Sequence, residues 1–132
     1  MSDPMSDSIL TTIKKLLGLD EDYEVFDPDV TIHINSTFLT LNDLGVGPKN
    51  PFVVNDKSQT WADFFQGNNA LDFQSVKTYV YLKVRLLFDP PSTSFAIDSM
   101  NKMADEYAWR LNVRAEGAYQ NIDAEPTPPI TY

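Results

Sequence analysis

Apolar residues recur at helical spacing in five stretches of this chain, and turn-forming residues separate them. Ile9, Leu10, Ile13, Leu16 and Leu17 share one face of a short helix over about 9–17. Ser6, Asp7 and Ser8 offer N-cap oxygens for it, and Gly18 is placed to close it. Asp27-Pro28 predicts the next start, with a capping carboxylate followed by proline at the first helical position. That helix carries Val30, Ile34, Phe38, Leu41 and Leu44 on one side and stops at Gly45, where Val46 folds back as the apolar partner of a Schellman-type cap. The loop GVGPKNPFVVNDKSQ follows; its Phe52-Val53-Val54 is an extended piece too short to found a sheet.

Thr60-Trp61-Ala62-Asp63 reads as a capping box opening a brief helix with Trp61, Phe64 and Phe65, ended by Gly67-Asn68-Asn69. Asp72 then caps a long helix over Phe73–Phe88. Asp89-Pro90-Pro91 forces the backbone out of helical geometry. Ser92 or Ser94 caps a last helix over about Phe95–Glu116, with a stripe of Met100, Met103, Ala104, Tyr107, Ala108 and Leu111. The pattern predicts a mostly α protein: a small bundle of about four to five helices with a long loop and an extended C-terminal tail. One domain over 1–116 carries the core, and the proline-containing segment 117–132 is an extended or disordered tail.

The Phe73–Phe88 stretch is unusual because it carries two apolar stripes. Phe73, Val76, Val80, Val84 and Leu87 form one; Tyr79, Leu82 and Leu86 form another, turned away by roughly 100° or more. A surface helix of a small monomer needs one stripe. The second is therefore expected to be covered by another subunit, or else by Trp61, Phe64 and Phe65 of the same chain.

Composition narrows the function classes. The net charge of -9 opposes attraction to nucleic acid or anionic membrane. The charge is uneven: residues 1–72 hold twelve acids and four bases, residues 73–132 seven acids and six bases. Phe73–Phe88 holds Lys77, Lys83 and Arg85 and no acid, which suits an acidic partner, a neighbouring copy or plain solvation. With no cysteine, thiolate chemistry, disulfides and Cys-bound zinc are excluded. The acidic, polar start of the chain is unlike a secretory signal, and no apolar run reaches the length of a membrane span.

Candidate chemistry is sparse. His33 stands alone in mid-helix without a neighbouring nucleophile. The run Asp20, Asp22, Glu24 resembles the start of an EF-hand loop, but that loop needs glycine and glutamate where Val25 and Thr31 stand. There is no phosphate-binding glycine motif. Trp61, Phe64, Phe65, Tyr107 and Trp109 are spaced as helix faces, so core packing is preferred over base stacking. The expectation is a protein that is not an enzyme and holds no cofactor or metal.

One family shares this order of segments: LGLD, then FDPDVTIHINSTFLTLNDLGVG, TWADFF, VKTYVYLKVRLLFDPPSTSF and DEYAWRL. Over Ile9–Glu116 the chain resembles the head–tail connector (head-completion, or adaptor) proteins of long-tailed double-stranded DNA phages. The double proline together with Glu106-x-x-Trp109-Arg110-Leu111 carries most of the likeness. The resemblance implies a helical virion protein at the head–tail junction, assembled in the host cytoplasm as a homo-oligomeric ring of about a dozen subunits. It implies docking on the portal protein and attachment of the next connector or tail-completion protein. Double-stranded DNA would pass through the ring without tight binding, and no membrane is involved. A monomeric helical binding module, such as an assembly chaperone or regulatory adaptor, is the alternative.

In a ring built head to tail each subunit needs two different complementary patches. Tyr79, Leu82 and Leu86 are the expected apolar patch, with Lys77, Lys83 and Arg85 meeting the acidic Asp20–Asp29 of a neighbour. The corner Asp89, Pro90, Pro91 and the tail residues Ile130 and Tyr132 complete the expected partner surface.

Overall fold

The computed structural model describes residues 3–68 and 72–120. Among these, a 3₁₀ turn over Pro4–Ser6 precedes five helices: α1 (Ile9–Leu16), α2 (Asp27–Asp43), α3 (Trp61–Phe65), α4 (Phe73–Phe88) and α5 (Ser94–Gln120). No strand occurs among the described residues; Ser8 and Thr60 form one isolated bridge. That bridge joins Ile9 N to the Gln59 carbonyl and Trp61 N to the Asp7 carbonyl, so α1 and α3 start side by side.

Local chemistry explains most boundaries. Ser8 Oγ accepts the Thr11 amide at 3.2 Å and starts α1. Gly18, at φ +84°, lets the Leu19 amide reach back to the Lys14 carbonyl. The end of α2 repeats this closure: Gly45 is at φ +79°, the Val46 amide bonds the Leu41 carbonyl, and Val46 is buried. Thr60 and Asp63 make the reciprocal capping box of α3 at 3.2 and 2.9 Å.

Three boundary expectations are corrected. Phe26, not Asp27, occupies the N-cap position of α2, because the Asp27 carboxylate is drawn to the buried Lys14 ammonium. Thr93, rather than Ser92 or Ser94, supplies the cap oxygen of α5, accepting the Ala96 amide at 3.1 Å. Finally, α5 runs to Gln120 instead of stopping at Glu116. A single interior glycine costs a helix only about 1 kcal/mol, and Gly117 stands among alanine, glutamate and glutamine.

α4 is the central helix, packed against α2 on one side and α5 on the other. Phe26, just before α2, stacks edge-on against Phe88 at the end of α4, so α2 and α4 are antiparallel. Asn112 of α5 donates to the Leu44 carbonyl just past α2 at 2.9 Å. α2 and α5 therefore run parallel, with the end of α2 level with Asn112 and α5 continuing beyond it to Gln120.

The core is one continuous cluster from Ile9 to Ala115. Its aromatic centre joins Phe38 to Phe52, Trp61 and Phe64 with ring centroids 4.9–6.4 Å apart. Trp61 satisfies its indole N–H on Thr12 Oγ1 at 3.1 Å. Trp61, Phe64 and Phe65 are thus core residues, out of reach of any stacked base. Three helical-face expectations also shift: Leu16 and Met103 are exposed at the edges of their stripes, and Leu87 is exposed at the end of α4.

Candidate docking surfaces

The second stripe of α4 does not face solvent. Tyr79 is 3% and Leu82 4% exposed, and Leu86 is half-buried. The expectation of a surplus stripe open to another subunit is corrected for Tyr79 and Leu82. α5 lies against Tyr79, on which its Asp105 charge acts, while Trp61 and Phe65 lie on Phe73 instead. Burial first, and the Asp105 carboxylate second, push the Tyr79 phenol above its ordinary pKa. A helix between two neighbours needs two stripes, so the surplus counted on α4 alone disappears in the bundle.

The three bases of α4 do not form one face. At about 100° per residue, Lys83 lies roughly 160° around the helix from Arg85. Lys77 rests its ammonium 5.2 Å from the Phe73 ring centroid. Arg85 donates through Nε to the Asp89 carbonyl and reaches the Tyr81 hydroxyl with Nη1 at 3.4 Å. It therefore braces the corner where α4 ends. Asp89 and Pro90 are exposed and Pro91 half-buried at that corner. Ile130 and Tyr132 lie outside the described residues.

That corner belongs to a wider apolar surface, most of which the periodicity of single helices did not reveal. Tyr23, Val25 and Phe26 from the α1–α2 link, Leu87 at the end of α4 and Phe95 at the start of α5 are all exposed at one end of the bundle. Phe95 is 81% and Val25 65% exposed. Tyr23 stacks edge-on against Phe26, and Phe26 against Phe88, with centroids 5.7 and 5.5 Å apart. The link is held in place from below. Lys14 donates to the Glu21 and Tyr23 carbonyls at 3.0 and 2.8 Å, and its ammonium lies 2.7 Å from Asp27 Oδ1 in an ion pair. Around this surface Asp20, Glu21, Asp22 and Glu24 are exposed, with Lys15 as a distant counter-ion of Glu21 at 3.7 Å. Clustered exposed apolar residues of this kind mark a contact surface.

A second unpartnered surface runs along α2. Ile32 and Leu39 are 64% and 52% exposed, on the side opposite the buried Val30, Ile34, Phe38 and Leu41. Val53, next to the Val54 that α2 holds, is exposed as well. Its segment is pinned by Asn35, whose side chain accepts the Val54 amide at 2.7 Å and donates to the Val54 carbonyl at 2.9 Å. Nothing in the spacing of the loop betrays this clamp, because its partners are 19 positions apart.

Open groove space between Leu10, Pro28, Ile32 and the Asn55–Ser58 loop is lined by Glu24, Asp27 and Asp56. The Ser58 hydroxyl and amide hold the Asp56 carboxyl below its usual range, and both bonds serve a local turn. Among the described residues no cluster of His, Asp or Glu is disposed to hold a metal ion. No helix among them is long and apolar enough to cross a membrane.

A five-helix bundle of this kind, with apolar surface left open at one end and along one helix, defines a small protein built to be covered by other proteins. The model of the family described as phage connector protein matches residues 9–118, and the chain belongs to that family. Its role is structural, in the virion at the connector, in contact with other phage head and tail proteins. Comparison with curated proteins and with solved structures gives no match.

Proposed function

We propose that this protein forms a ring at the head–tail junction, assembled in the host cytoplasm. The ring docks on the portal, extends the DNA channel and presents a surface to the next tail-side component. The observation that carries this reading is the apolar end made by Val25, Phe26, Leu87 and Phe95 around the Asp89-Pro90-Pro91 corner. Three chain segments converge there, and the Lys14 ties and the Arg85 brace hold them in a fixed shape. A preformed apolar patch binds without ordering cost and suits docking on another protein. Its acidic neighbours, with the net charge of -9, keep phosphate affinity low, so DNA slides through without stalling. Ile130 and Tyr132 of the tail add a second contact to the portal or to a neighbouring subunit.

The test mixes the protein with its portal and images the product. A ring stacked on the portal is expected, and Leu87→Ser with Phe95→Ser abolishes docking while leaving helical content unchanged. Docking that survives both substitutions removes the apolar end as the contact. Failure of the wild-type protein to bind portal at all would point to the monomeric adaptor instead.

A further inference from the structure

Two surfaces flanking α4 are complementary in charge and level in height. The outward face of α2 carries Asp29, Ile32, Ser36, Leu39 and Asp43, two acids and no base, with all five residues exposed. One edge of α5 carries Ser99, Met103, Glu106, Arg110 and Arg114, also all exposed. Both sets are spaced by three or four residues, which keeps side chains in one row. Glu106 is already engaged by Arg110 within α5, which leaves that edge net basic.

From this we infer that the α2 face of one copy meets the Met103–Arg114 edge of α5 in the next copy. The inference rests on the ring proposed above and names the surfaces that close it. The register comes from within the subunit. Asn112 is bonded to the Leu44 carbonyl, so position 112 of α5 stands level with position 44 of α2. The two helices are parallel and rise equally per residue. A rotation about an axis running along the helices preserves these heights in the neighbouring copy. Asp43 then arrives level with Arg110 and Arg114, and Met103 arrives between Ile32 and Leu39. Apolar residues meet apolar ones at one height, and the carboxylate meets the two guanidinium groups at another. The pairing is heterologous, using two unlike surfaces, which is what a closed ring requires. A two-fold dimer made through α2 alone would bring Asp29 and Asp43 against acids of the same kind. The charges at the edge set partner choice and register, and the Ile32–Leu39–Met103 contact supplies the apolar burial.

Charge reversal and its rescue test this pairing. Arg110→Glu with Arg114→Glu is expected to weaken self-association about tenfold or more, in sedimentation velocity and in images of portal-bound rings. Adding Asp43→Arg to that variant restores assembly, because the sign of the pair is exchanged. The same reversal at Asp98, on the other edge of α5, leaves assembly unchanged. Ile32→Lys abolishes rings while circular dichroism shows a folded protein. Rings that tolerate the double reversal, or a triple variant that is not rescued, overturn the pairing and leave the ring itself standing. A wild-type protein that forms no oligomer, free or on the portal, overturns the ring and the pairing together.

Discussion

The Lys14 ammonium lies 2.7 Å from Asp27 Oδ1, joining the last turn of α1 to the first turn of α2 across the acidic link. Lys14 is almost wholly buried, and its remaining hydrogen bonds go to the Glu21 and Tyr23 carbonyls. One cation thus fixes ten residues of acidic, glycine-poor chain that carry no regular structure of their own. Removing it costs more than one contact, because the partly buried Asp27 side chain is left without its ion-pair partner. Lys14→Ala is expected to lower stability by about 2–3 kcal/mol, discounted for the partial exposure of Asp27. The same variant loosens the Tyr23–Phe26 link. Urea denaturation gives the first effect and amide exchange of residues 19–26 the second.

Gly47 packs where no side chain fits. Its φ is +96°, and a Cβ there would stand 2.6 Å from the Phe64 ring. Gly47→Ala combines an unfavourable backbone with overpacking of the aromatic centre, so a loss of about 2–4 kcal/mol is expected. Gly18 is the control: its φ is also positive, but nothing lies within 4 Å of the added Cβ. Gly18→Ala is expected to cost about 1 kcal/mol, the backbone contribution alone. Thermal melts of the two variants separate the contributions.

Asn35 holds the loop over residues 52–54 by both of its amide groups. Asn35→Leu strands the Val54 amide and carbonyl, and a loss of about 1–3 kcal/mol follows. The Phe52 side chain then leaves the Phe38 and Phe64 rings it touches. Chemical shifts of those rings report the release.

The raised pKa of Tyr79 makes stability fall at alkaline pH. Unfolded, the phenol titrates near 10.0; folded, it titrates higher. Stability is therefore unaffected below pH 10 and declines as pH rises from there through the folded value. Tyr79→Phe is expected to flatten this decline, measured as the urea midpoint between about pH 9 and 11. An unchanged slope in the variant assigns the alkaline loss to other groups.

The sequence alone determined where four of the five helices start and stop to within a residue or two, because their signals are local. Ser8, the Thr60–Asp63 box, Gly18, Gly45 and the Pro90-Pro91 stop act on their own neighbours. It determined the buried stripe of α2 and, Leu87 apart, the first stripe of α4 as well, since periodicity follows from helix geometry. Family membership was legible in the order of motifs over most of the chain. What tertiary structure decided was which apolar residues remain open. Tyr79 and Leu82 are surplus if α4 is a surface helix, yet both are buried in the bundle, where α4 packs between α2 and α5. Ile32, Leu39 and Phe95 stand outside every stripe read from the sequence and stay in solvent, and Val25 and Phe26, which the acidic link presents as inward anchors, are exposed as well. The physical reason is that exposure belongs to the arrangement of helices around one another, and a central helix and an edge helix can carry similar patterns. The Asn112–Leu44 bond, 68 positions apart, set the heights at which the flanks of the bundle face a neighbour.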